Sequence, residues 1–167
     1  MKMLILTAWA LTCLVAGPIA AAAENPTGKP PAHEHHAPHG GTLVEFGTEL
    51  AHVELVLDNK QGALKAYALD GEAENPVRLK QHVIPIRIIL DSIKGSGSTQ
   101  RYDLNLSAVA NPLTGETEGD TSEFRSRSNY LVGISDFDAV ILKISIRGGE
   151  FTNVGFRFPK GNDPYVK

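Results

Sequence analysis

A chain of 167 residues is long enough for one domain of ordinary size. Its formal net charge is −3, from 16 basic and 19 acidic residues, and it has no run of Lys or Arg, so nucleic acid is not an expected partner. The one cysteine, Cys13, lies near the N-terminus, so the rest of the chain carries no disulfide, thiol nucleophile or thiolate metal site.

Residues 1–23 have the pattern of a secretory signal peptide. Lys2 supplies a positive charge, an apolar run follows, and an alanine run that ends at Ala23 provides a cleavage site. The apolar run is shorter than the roughly 20 residues of a membrane span. A lipoprotein signal would have Gly or Ala before Cys13, where Thr12 stands. We therefore expect export to the bacterial periplasm, without membrane insertion after cleavage.

Residues 24–40 are rich in Pro, Gly, Ala and His and contain no large apolar side chain. Such a segment cannot bury enough surface to offset its ordering entropy, so a flexible tail is predicted. The tail carries four histidines, His33, His35, His36 and His39. Because short His-rich tracts are typical of metal binding, we expect the tail to capture a copper or zinc ion. The alternative is a solvated linker with no metal role.

From residue 41 onward, short apolar and polar alternations recur, with turn residues between them. Period-two alternation predicts β-strands. The predicted strands lie at 43–46, 50–58, 63–69, 76–79, 84–90, 101–106, 140–146 and 152–158.

The spaces between these strands hold few other elements. Residues 109–121 are predicted to be an exposed loop, and a single helical turn is expected within 127–139. Pro85 implies an edge position or a bulge in its strand. The pattern predicts an all-β fold, with one antiparallel β-sandwich-like domain at 41–160 behind the disordered tail and a C-terminal tail at 161–167.

His52 and Glu54 stand two residues apart on the second predicted strand, so their side chains point to the same face. Asp58 shares that face, with Val56 as the one apolar residue, and a polar strand face usually meets solvent. Both side chains could contact the tail or a metal there, or be two ordinary surface residues. Catalytic patterns are lacking: Ala37 replaces the second His of HExxH, and no G-x-S-x-G motif is present. A non-enzymatic protein is therefore expected.

Several motifs occur in one order: His39-Gly40-Gly41, His52-Val53-Glu54, a hairpin, and D-G-x-x-x-x-P-V from Asp70. This order resembles a small exported bacterial module, and is similar to the His-rich N-terminal segment of some periplasmic adaptor subunits of heavy-metal efflux pumps. The resemblance covers about 40 residues and includes neither the helical hairpin nor the lipoyl-like domain of those adaptors. It implies an envelope module linked to metals, with His39, His52 and Glu54 as one cluster.

Together these patterns predict an exported, non-enzymatic protein that binds a divalent transition-metal ion, copper or zinc first, in metal homeostasis or heavy-metal efflux. The candidate ligands are His33, His35, His36, His39, His52 and Glu54. An envelope or efflux-system protein is a candidate partner. The alternative function is a structural or protein-interaction module of the cell envelope, whose His-rich segment is only a tether.

Overall fold

The structure is a computed structural model that describes residues 34–91 and 98–163. The predicted signal peptide, residues 24–33 with His33, and residues 164–167 lie outside the described residues. Within the described ranges, no helix combines the length and the apolar character that crossing a membrane requires. The strands are β1 (Thr42–Phe46), β2 (Ala51–Asp58), β3 (Ala63–Leu69), β4 (Val83–Leu90), β5 (Gln100–Ala108), β6 (Glu123–Arg127), β7 (Phe137–Ile146) and β8 (Gly149–Phe158).

The eight strands form one antiparallel sheet in the order β1-β2-β3-β6-β5-β4-β7-β8. The sheet curls until its two outer strands, β1 and β8, come close to each other, so it is nearly closed. The predicted all-β antiparallel fold is confirmed, and the expected helical turn is a single 3-10 turn at Asn129–Leu131.

One face of the sheet encloses an apolar core. Alternate residues point inward, as in β4, where Ile84, Ile86 and Ile88 are fully buried while Arg87 points outward. Phe124 of β6 fills the same core. Burying one such side chain contributes about 1.5–3 kcal/mol, so the period-two pattern fixes which face of each strand points inward.

Two local expectations from the sequence are wrong. Residues 76–79 form only isolated bridges, Pro76 with Leu69 and Leu79 with Thr121, and not a strand. Pro85 lies in β4, an internal strand between β5 and β7. Proline is tolerated there because the ladder between β4 and β7 covers only residues 86–89, so Pro85 lies beyond its end.

The loop at 109–121 is held together by Glu116. Its carboxylate accepts hydrogen bonds from Thr114 Oγ1 at 2.6 Å, and from the backbone N–H and Oγ of Ser122 at 2.8 Å and 2.7 Å. Partial burial opposes ionisation of Glu116, but these hydrogen bonds and the charge of Arg78 lower its pKa below the usual range. The ionised carboxylate thus fastens the loop to the start of β6.

Replacing Glu116 with glutamine is expected to remove a small, pH-dependent part of the stability of this loop. Because the folded pKa is lowered, the contribution is complete above the pKa of an unfolded glutamate, about 4.3, and is lost as pH falls through the lower folded value. In the parent protein, the NMR shift of the Ser122 amide should titrate below pH 4.3. In Glu116→Gln, the shift of the Ser122 amide should not change over this pH range. A titration midpoint at or above about 4.3 in the parent protein would contradict a lowered pKa of Glu116.

The chain after β8 turns back across β1. Thr42 Oγ1 donates to the Pro159 carbonyl at 3.1 Å, and the Glu45 N–H donates to Asn162 Oδ1 at 2.7 Å. Residues 159–163 therefore lie on the outer face of the sheet beside β1 and β2, where the sequence predicts the beginning of a C-terminal tail.

Candidate metal site

The outer face of β2 is buried where β2 begins. His52 and Glu54 are both 0% exposed, so the expectation of a solvated polar face is wrong. The register places Leu69 beside His52 and Tyr67 beside Glu54 on β3, with Leu43 beside Glu54 on β1. Chain segments that follow no strand pattern cover this face, which is why the period-two pattern alone could not reveal its burial.

The first covering segment is residues 34–41, which belong mostly to the predicted flexible tail. That expectation does not hold for residues 34–40: His35 is only 3% exposed, and Ala37 packs against a small apolar cluster of Leu43, Leu69 and Ala73. The small apolar side chains and His35 pack on the surface of β1–β3. Their burial offsets the loss of conformational entropy when residues 34–40 become ordered.

Glu54 anchors this segment to the sheet. Its Oε1 accepts hydrogen bonds from the backbone N–H groups of His39 and Gly41, at 2.8 Å and 2.7 Å, and its Oε2 lies 2.7 Å from His39 Nδ1. The His39 ring stacks on Tyr67 with centroids 3.8 Å apart. A Cβ on Gly41 would stand 2.5 Å from the Leu55 carbonyl oxygen, so only glycine lets the backbone approach Glu54 this closely.

The second covering segment, residues 159–163, brings Asp163 onto the same face. Gly161 makes the turn: its φ is +77°, and its N–H donates to the Arg157 carbonyl at 2.6 Å. An added Cβ would collide with the Leu43 carbonyl. The turn leaves Asp163 7% exposed, between His35 and His52.

His35, His52 and Asp163 form a buried triad. Asp163 Oδ2 lies 2.8 Å from His35 Nδ1 and 3.1 Å from His52 Nε2. The two imidazole rings meet edge to face, with centroids 4.6 Å apart. The side chains of His35, His52 and Asp163 are 1%, 0% and 0% exposed, so water does not solvate these three polar groups.

The other nitrogen of His52 decides which tautomer is present. Nδ1 lies 3.2 Å from the Asp70 carbonyl, which can only accept, so Nδ1 carries a proton, and Nε2 has the lone pair whenever the ring holds one proton. Nε2 is buried and makes no hydrogen bond to any residue within 34–91 or 98–163. Its separation of 3.1 Å from Asp163 Oδ2 is short enough for an ion pair, but the two atoms lack hydrogen-bonding geometry.

The triad has the donor types and spacing of a metal site. One ligand atom from each residue can be chosen so that all three lie within 4.8 Å of one another. Two ligands of one tetrahedral zinc ion stand about 3.4 Å apart, since each bond is about 2.0–2.2 Å. The observed separations of 2.8 Å and 3.1 Å are shorter than that value by about 0.6 Å and 0.3 Å, so the side chains would move apart slightly to admit an ion. The carbonyl behind His52 orients its ring as backbone acceptors do in metal proteins.

The structure thus divides the predicted ligands. His35 and His52 meet in the triad, whereas His39 and Glu54 pair with each other, which occupies both carboxylate oxygens of Glu54. The side chain of His36 is exposed. Asp163 is not among the ligands predicted from the sequence, because an isolated acidic residue outside any strand pattern has no periodicity that would indicate burial.

Comparisons with known proteins add no assignment: no protein-family model, curated protein or solved structure matches the chain. The resemblance to efflux-adaptor segments therefore stays a prediction.

Proposed function

We propose that this protein is an exported, non-enzymatic metal-binding protein that holds one divalent transition-metal ion, zinc or copper(II) first, between His35, His52 and Asp163. The observation that carries the proposal is His52 Nε2: a buried nitrogen with a lone pair, without a hydrogen bond, beside a carboxylate and a second imidazole. Burying such an acceptor without a partner costs about 1–3 kcal/mol. A bound ion would accept its lone pair.

The donor set supports a borderline ion over a hard one. Imidazole nitrogen suits zinc, copper(II) and nickel, whereas magnesium and calcium prefer oxygen ligands. Three protein ligands also leave a fourth coordination position, as in sites that exchange a ligand. The predicted signal peptide and the resemblance to heavy-metal efflux adaptors favour a role in handling such ions in the bacterial envelope.

Metal titration of the purified protein tests the proposal. Zinc or copper(II) is expected to bind at a one-to-one ratio, and an ion at 100 times its Kd should stabilise the fold by about 2.7 kcal/mol. Magnesium should do neither. Calorimetry gives the ratio and affinity, and thermal unfolding with and without ion gives the stabilisation.

Matched histidine variants locate the binding. His35→Ala/His52→Ala should lose the tight site, whereas His36→Ala/His82→Ala, which also removes two imidazoles but both exposed, should keep it. The proposal fails if the exposed pair carries all the binding, or if no ion raises the unfolding temperature. Either result would favour the alternative function, an interaction module in which the buried triad only holds the two covering segments against the sheet.

A further inference from the structure

A second polar site lies on the outer face of the sheet, where β3, β6 and β5 adjoin. Lys65 of β3 stands directly opposite Arg125 of β6, and Arg125 stands opposite Ser107 of β5. Arg127 lies two residues further along β6, on the same face, opposite Ala63. Two adjacent strands, β3 and β6, thus place three cationic side chains together, a group that we call the cationic cluster (Lys65, Arg125 and Arg127).

The cationic cluster surrounds a cavity of about 630 Å³. The cavity forms because β5 pairs with β6 only through Ser107 and Ala108, so the two strands separate beyond that point. Small side chains line it between the cations, among them Ala63 and Ala108. Its volume is in the range of small-ligand sites.

The cationic cluster has little charge compensation among the residues that the structure describes. Within residues 34–91 and 98–163, neither Lys65 nor Arg125 makes an ion pair, although like charges directly opposite on paired strands repel each other. Among the described residues that line the cavity, Glu118 is the only carboxylate. Two other arginines of the sheet do have carboxylate partners: Arg87 pairs with Asp103 at 2.7 Å, and Arg157 with Asp138 at 3.1 Å.

Arg127 is held in position for a ligand. Its Nε and Nη2 donate to the carbonyl and the side-chain oxygen of Gln61, at 2.9 Å and 2.8 Å. This fixes the plane of the guanidinium and leaves Nη1 available to another acceptor. A guanidinium fixed in this way loses little entropy when it binds an anion.

We propose that the cationic cluster binds a phosphate-type oxyanion, either free or as the headgroup of a ligand. Phosphate oxygens accept charge-assisted hydrogen bonds from Arg and Lys and would relieve the repulsion between Lys65 and Arg125. Ser107 adds a hydroxyl donor beside Arg125. This site shares no residue with the metal site, so either can exist without the other.

Titration of the full protein with inorganic phosphate, in metal-free buffer of low ionic strength, tests the proposal. Amide NMR shifts should saturate with a Kd below about 1 mM, with the largest changes at Ser107, Arg125 and Arg127. Lys65→Gln/Arg125→Gln should weaken binding at least about tenfold. Lys80→Gln/Arg101→Gln removes the same two charge types at exposed positions outside the cavity and should stay within about twofold of the parent.

Vesicles separate the two sources of the phosphate group. Binding to phosphatidylglycerol vesicles but not to phosphatidylcholine vesicles, lost in Lys65→Gln/Arg125→Gln, would support a lipid headgroup, and saturable binding of inorganic phosphate would support a free ligand. The proposal is overturned if neither probe binds saturably up to about 10 mM phosphate. Equal weakening in both double variants would also overturn it, because it would show general charge attraction. Unchanged far-UV circular dichroism confirms that the exposed substitutions leave the fold intact.

Discussion

Replacing Asp163 with asparagine is expected to weaken zinc or copper(II) binding by about 100-fold or more. Structural zinc sites yield about 10–16 kcal/mol over four ligands, so losing one anionic ligand removes roughly 3 kcal/mol or more, and 1.4 kcal/mol is a factor of ten. Asparagine keeps the shape of the side chain and can still contact His35. The protein should therefore stay folded while its metal affinity falls.

The matched control for this substitution is Asp91→Asn, which removes one exposed carboxylate outside the site. Its metal affinity should equal that of the parent protein. Calorimetric titration measures both variants, and cobalt(II) absorption reports whether the coordination is still tetrahedral. Equal affinities of Asp163→Asn and the parent would remove Asp163 from the ligand set, and would leave His35 and His52 as a two-ligand site at most.

Most of the fold could be predicted from alternation alone. In β2 and β4 every second residue is apolar, and a strand with that pattern has only one face that fits a core. The pairing order could not be predicted, because β6 joins β3 to β5 through contacts between residues far apart in sequence. Residues 76–79 looked like a strand for the same reason: apolar spacing indicates burial but does not supply a partner strand.

Only part of the candidate metal site could be predicted from the sequence. The His-rich tract predicted His35 as a ligand, and the two-residue period of a strand placed His52 and Glu54 on one face. What could not be inferred was that irregular segments cover this face. The anchoring of residues 34–41 depends on a carboxylate that receives three hydrogen bonds, and Asp163 arrives by a turn at Gly161. Neither contact has a periodic signature.

The triad therefore joins parts of the chain that the sheet itself does not hold together. His35 and Asp163 are 128 positions apart, and only His52 belongs to a strand. Each of the other two proposed ligands depends on an anchor of its own: the contacts of Glu54 for His35, and the turn at Gly161 with Asn162 on β1 for Asp163. Metal affinity should consequently respond to substitutions that never contact the ion.

Glu54→Ala is the strongest such substitution. It removes the acceptor of two backbone N–H groups and of the His39 ring, and is expected to lower the free energy of unfolding by about 2–4 kcal/mol. Because the same contacts hold residues 34–41 over β2, metal affinity should fall as well, although Glu54 is not a ligand of the triad. Urea unfolding measures the stability, and calorimetric titration measures the affinity.

Two further variants separate anchoring from a general loss of stability. Glu54→Gln keeps an oxygen for the backbone N–H groups of His39 and Gly41, so it should fall between the parent and Glu54→Ala in both measurements. Leu106→Ala removes a core side chain on the opposite face of the sheet and should cost about 2–5 kcal/mol of stability. Leu106→Ala should leave the affinity of the folded protein for metal unchanged, because residues 34–41 keep their anchor. If both alanine variants lowered the affinity equally, Glu54 would act through global stability alone. If Glu54→Ala left the metal affinity unchanged, the prediction would be wrong, because His35 would then contact the ion without the Glu54 anchor.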